Sequence, residues 1–189
     1  MPTAHPRPPL ARTSDEAHVY LDLHPCVCGE REFPRSLAIV QLDDGDTLGS
    51  RYDGRCPACG RYREYVFRLP PDVLLPPPGE VRYGDGTPSE LLDPGEWLWV
   101  ADRYAGSVPA DASGLDPAAR RQVRATISAA AAAMDEVLAF LPDDADAVPA
   151  EAMRTDLGRL VYADEPYRFD RERLEVVRNT YRDLLAAAS

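Results

Sequence analysis

The sequence predicts an α+β protein, with an N-terminal three-stranded sheet module followed by a bundle of about four helices. Three observations predict it. Short, alternating, β-rich runs fill residues 15–70 and are separated by Cys-containing and Asp-Gly turns. The stretch at 70–79 (PPDVLLPPPG) interrupts helix and strand alike, because proline lacks a backbone donor and restricts the residue before it. Beyond it, apolar residues recur at helical spacing behind Asp-Pro start signals. The organisation expected is a flexible arm (1–14), the sheet module (15–70), a Pro-rich linker (71–79) and a mainly helical module (80–189).

The elements follow in order. Residues 18–23 (HVYLDL) alternate and read as a strand, and 36–42 (SLAIVQL) as another. Asp43-Asp44-Gly45-Asp46 forms the turn of a hairpin that returns over 47–52. Residues 62–69 (YREYVFRL) make the next strand, and 81–83 one more short one. Asp93-Pro94-Gly95-Glu96 has an N-cap, a first-turn proline and an acidic third position, so a helix begins there with Trp97, Val100, Ala101 and Tyr104 on one face. Asp116-Pro117 starts a second, running to about Leu141, whose stripe is Val123, Ile127, Met134, Leu138 and Leu141. A third is expected over 149–162 with Met153, Leu157, Leu160 and Val161 inward. A fourth, capped by Asp170, turns Leu174, Val177, Tyr181, Leu184 and Leu185 inward.

Composition narrows the function classes. The formal charge is −11 over 189 residues, which disfavours non-specific binding to a phosphate backbone. Every basic side chain is Arg, and with abundant Ala, Pro and Asp this points to a GC-rich bacterial genome. The first twelve residues carry prolines and no apolar signal-peptide core, and no apolar run reaches about 18 residues, so a cytoplasmic protein without membrane spans is expected.

Four cysteines stand in two close pairs, Cys26-Val27-Cys28-Gly29 and Cys56-Pro57-Ala58-Cys59-Gly60. In a reducing compartment such pairs are metal ligands rather than disulfides. A short spacer points two thiolates to one side, and the following glycine lets backbone amides turn toward the sulfurs. A hairpin between the pairs brings the two turns together around one Zn2+, held by Cys26, Cys28, Cys56 and Cys59. His24 beside the first pair is an alternative ligand in place of one cysteine. Residues 15–70 here resemble the zinc-ribbon class, on the strength of the CPACG knuckle and its flanking strands. The resemblance implies a structural zinc and a small, metal-braced fold.

Four thiolates leave no coordination position for a reacting water, and no HExxH, His-x-Glu, P-loop, GxSxG or GxGxxG pattern occurs, so a catalytic role is not expected. The leading functional expectation is a non-catalytic zinc protein that binds another protein, in one version an immunity or antitoxin-like binder of a basic partner. The rival is a nucleic-acid binder that uses Arg51, Arg55, Arg61, Arg63 and Arg68, interleaved with Tyr52, Tyr62, Tyr65 and Phe67. A second rival is an enzyme of unrecognised type. Trp97 and Trp99 lie two apart and cannot share a helical face, so either both are core in a helix packed on two sides, or one is core and the other, Trp99, lies at a module or partner surface with the arginines. Asp143-Asp144-Ala145-Asp146 reads as a solvated loop, or as a phosphate mimic toward a basic partner.

Overall fold

A computed structural model describes residues 7–42, 45–72, 80–109 and 114–187. The chain divides into two compact units, Met1–Leu74 and Leu75–Ser189.

The first unit begins with α1 (Ser14–Leu23), where the sequence reading expected a strand over 18–23. The alternation of HVYLDL is outweighed by its N-terminal signal. Thr13 caps the helix by accepting the Glu16 N–H at 3.0 Å, and two acidic residues sit in the first turn. Ala17 and Leu21, one turn apart, are both buried. Glu16 reaches back to accept the Arg12 N–H at 2.7 Å and closes a buried ion pair with Arg12 at 2.6 Å. Residues 8–12 are therefore not part of an arm. Arg68 N–H donates to Pro9 O at 2.8 Å and Ala11 N–H to Arg68 O at 3.1 Å, laying this segment along the last strand.

The sheet is an antiparallel meander of β1 (Ser36–Gln41), β2 (Leu48–Arg55) and β3 (Tyr62–Arg68), in that order. The register pairs Leu37 with Tyr52 and Tyr52 with Tyr65, and Ile39 with Ser50 and Ser50 with Phe67. Directly paired residues share a face, so one face carries all six. That face receives α1: Tyr20 meets Phe67 at 5.4 Å and Tyr65 at 6.1 Å, edge to face, and His18 meets Tyr52 at 5.6 Å. In the β1–β2 turn, Asp43 and Asp44 lie outside the described residues. Gly45 has φ +78°, and the Leu42 N–H donates to Thr47 O at 2.9 Å.

The second unit holds α2 (Pro94–Gly106), α3 (Pro117–Leu138), α4 (Asp156–Asp164) and α5 (Arg171–Ala187). α3 packs on α2 and α5, and α2 also on α4. The run at 129–133 in α3 is buried throughout, where alanine side chains allow close helix approach. Trp97 is fully buried against Tyr83, with ring centroids 4.9 Å apart.

Several expectations are corrected. Residues 81–83 form no strand, and Val81 N–H donates instead to Ser128 Oγ at 3.0 Å. The expected helix over 149–162 is broken into a 3-10 turn (Ala150–Ala152) and α4, because Thr155 caps a new start by accepting the Gly158 N–H at 2.9 Å. Leu160 and Leu184 point outward, at 67% and 49% exposure, against the inward faces assigned to them. The Asp143–Asp146 loop region is held from below by Arg171, which donates to the carbonyls of Pro142, Asp143 and Ala145.

Candidate metal centre

Two tight turns of the first unit carry the cysteines. The first follows α1 directly. Cys26 N–H donates to Glu30 O at 2.9 Å and Gly29 N–H to Cys26 O at 2.7 Å. The second is the β2–β3 connection itself, with Cys56 N–H to Arg61 O and Gly60 N–H to Cys56 O, both 2.9 Å. Each turn closes through a glycine of positive φ, +90° at Gly29 and +72° at Gly60. Nothing crowds either position, so it is backbone conformation that requires glycine there.

These turns bring four sulfurs within 4.8 Å of one another. Two pairs join different turns, Cys26 to Cys59 and Cys28 to Cys56, each at 3.6 Å. A disulfide requires about 2.05 Å. Sulfurs at the corners of a tetrahedron around zinc, each about 2.3 Å from it, stand roughly 3.8 Å apart. The four cysteines are thus spaced as ligands of one metal ion such as zinc. Each turn contributes one buried cysteine, Cys26 or Cys56, and one exposed, Cys28 or Cys59.

The electrostatics agree with a cation-dependent site. A hydrogen bond from the Cys28 backbone draws the Cys26 thiol down to about 7, against burial. Cys59 is pushed up to about 12. The Arg61 backbone favours its thiolate, but Cys28, Cys26 and Cys56 together with burial outweigh that help. Negative charge on one sulfur opposes charge on the next, and a bound cation removes the conflict.

His24 is not among the clustered ligands. Its ring stacks on Tyr20 at 3.9 Å, with Nδ1 2.7 Å from Tyr20 O. Its carbonyl instead accepts from Arg63 Nη2. Arg63, expected on a partner surface, is buried, with its guanidinium 4.0 Å over the Phe33 ring. It ties β3 to the residues that lead into Cys26, a brace that the sequence marked only as one arginine among five. Arg55 donates to Gly60 O at 3.1 Å and steadies the second turn. Arg68 donates to Pro8 O at 2.7 Å, and Arg51 lies 3.6 Å from Asp53. Of the five, Arg55 and Arg61 are exposed. Trp99 belongs to the second unit, half-buried, with the Arg103 guanidinium 4.8 Å over its ring.

Comparison with known proteins returns no match to a family model, a curated protein or a solved structure. Among the described residues, no helix is long and apolar enough to cross a membrane.

Proposed function

We propose that Cys26, Cys28, Cys56 and Cys59 hold one structural zinc ion, that the first unit is a zinc ribbon braced by it, and that the chain is a non-catalytic cytoplasmic module for binding another protein. The observation that carries this reading is the closed thiolate set: four sulfurs within 4.8 Å, with none of the four positions left to water. The metal fixes a small exposed tip, where Val27 is 78% and Tyr62 51% exposed beside Arg55 and Arg61. A rigid apolar tip edged by arginine suits a protein interface. The net charge of −11 favours a basic partner surface away from the arginine-edged tip, as for an immunity or antitoxin-like protein. The nucleic-acid reading has less support, since Arg63 and Arg68 make internal contacts and Arg51 faces Asp53.

Cobalt substitution tests the site. The expected result is about one Co2+ per chain with the charge-transfer and visible bands of a tetrahedral tetrathiolate, unchanged by added azide or cyanide. A spectrum that shifts with exogenous anion means an open position and sinks the non-catalytic reading.

A further inference from the structure

The four clustered cysteines have a second chemistry besides holding a cation. A thiolate is the form of cysteine that oxidants attack, and access decides which one is attacked first. Cys28 and Cys59 are exposed, Cys26 and Cys56 buried. Four cysteines allow three ways of making two disulfides. Pairing within each turn would join Cys26 to Cys28 across a single residue, which leaves the chain little freedom to reach the specific torsion a disulfide needs. Both other ways join the first turn to the second. One of them, Cys26–Cys56 with Cys28–Cys59, sets the two buried cysteines together, with no exposed member to start the reaction. The other, Cys26–Cys59 with Cys28–Cys56, gives each pair one exposed and one buried cysteine, and both pairs already stand 3.6 Å apart. Each pair closes to bonding distance by a movement of about 1.5 Å.

We propose that the site is a redox switch, in which a peroxide converts the metal-bound protein into a metal-free form crosslinked at Cys26–Cys59 and Cys28–Cys56. The switch rests on the metal reading above. In each pair the exposed thiolate, Cys28 or Cys59, attacks a peroxide oxygen. The O–O bond breaks, hydroxide leaves and takes up a proton, and the sulfur becomes a sulfenic acid. The buried partner, Cys56 or Cys26, then attacks that sulfur. An S–S bond forms, the S–O bond breaks, and a second hydroxide leaves and is protonated to water. Each disulfide takes two electrons from two thiolates and gives them to one peroxide. Two peroxides and four protons thus yield two disulfides, four waters and the freed cation, since it is the thiolate that ligates metal. The crosslinks join residues 33 and 28 apart in the chain. They take over the tie between the turn after α1 and the β2–β3 turn, so the first unit keeps its sheet after the ion has left. Chelation leaves four free thiols and no such tie.

The test treats the zinc-loaded full chain with excess hydrogen peroxide, follows release with a chromogenic chelator, and then maps the cysteines by tryptic digestion and mass spectrometry. Cleavage after arginine puts Cys26 and Cys28 on residues 13–31 and Cys56 and Cys59 on residues 56–61. The expected result is about one ion released for every two peroxides consumed. The two peptides should be recovered as one disulfide-linked species, with fragmentation assigning Cys26–Cys59 and Cys28–Cys56. The oxidised protein should keep the denaturation transition of its sheet unit, and the chelated protein should lose it. Dithiothreitol with added zinc should restore the starting form. Two separate peptides, each with an internal disulfide, overturn the proposal. So does metal retained through excess peroxide, or release with sulfinic and sulfonic acids in place of disulfides. A chain that takes up no cobalt fails the metal reading before any oxidant is added, whereas one that loads its metal and fails here leaves that reading standing.

Discussion

Asp93 uses both carboxylate oxygens on backbone. Oδ1 accepts the Glu96 N–H at 2.9 Å and starts α2, while Oδ2 accepts the N–H groups of Arg154 and Thr155 and the Thr155 hydroxyl, at 2.8–2.9 Å, and so holds the start of α4. One buried side chain thus serves two helix N-termini. Asp93→Ala is expected to cost on the order of 3 kcal/mol, more than a single exposed cap, because it also strands buried donors; chemical denaturation measures it. Gly158 lies beneath this carboxylate, where a Cβ would stand 2.1 Å from Oδ1, so Gly158→Ala must displace the clasp and should lower the melting temperature. Burial pushes the neighbouring Glu96 carboxyl up to about 7; the Asp93 N–H opposes the shift and the Asp93 charge adds to it. The folded protein then retains a proton that the unfolded chain releases above about 4.5, so stability should fall as pH rises from about 4.5 to 7 and level off beyond. Glu96→Gln keeps an acceptor for the Asp93 N–H and should flatten that slope in denaturation series across the range. A variant with the parent's slope assigns the pH dependence elsewhere.

At the scale of elements, the proposed metal site makes the two cysteine turns the place where the sheet's stability is tested. The β2–β3 connection carries Cys56 and Cys59, so removing Cys56 takes one of the four proposed ligands from that hairpin. Cys56→Ala should lose the metal, by elemental analysis, and most of the first unit's stability, since binding to such a site is folding free energy. This turn was readable in the sequence because the Cys-x-x-Cys-Gly spacing is a local signal. β1, β2 and β3 were readable for a similar reason, as period-two runs bounded by turns. α1 was not. Its six-residue alternation imitates a strand, and the deciding signals are the Thr13 cap and the Glu16–Arg12 pair, which lie in residues read as an arm. The break at Thr155 was hidden because it depends on Asp93, far away in the chain. Leu160 and Leu184 fit the helical period but lie where, among the described residues, no neighbouring helix covers them. The brace made by Arg63 could not be read either, since nothing local separates a buried arginine from four others nearby in the chain.

For the whole molecule, the two compact units predict separable responses to chelation. Among the described residues, helices α2 to α5 belong to the second unit, with α3 packed on α2 and α5 and α4 on α2. A strong chelator should disrupt the sheet unit while far-ultraviolet circular dichroism keeps most of its helical signal. Loss of nearly all helix would mean that the units fold as one. The unequal exposure of the cysteines bears on kinetics as well as on stability. With Cys26 and Cys56 buried and Cys28 and Cys59 exposed, the proposed ion would be more open to approach on the side of Cys28 and Cys59. A small dithiol arriving there would displace the Cys28 and Cys59 sulfurs first, with Cys26 and Cys56 still on the metal. Release then proceeds through a shared complex, and its rate climbs with competitor concentration instead of waiting on spontaneous dissociation. The proposed ion would then leave faster to a rival dithiol than by dilution alone.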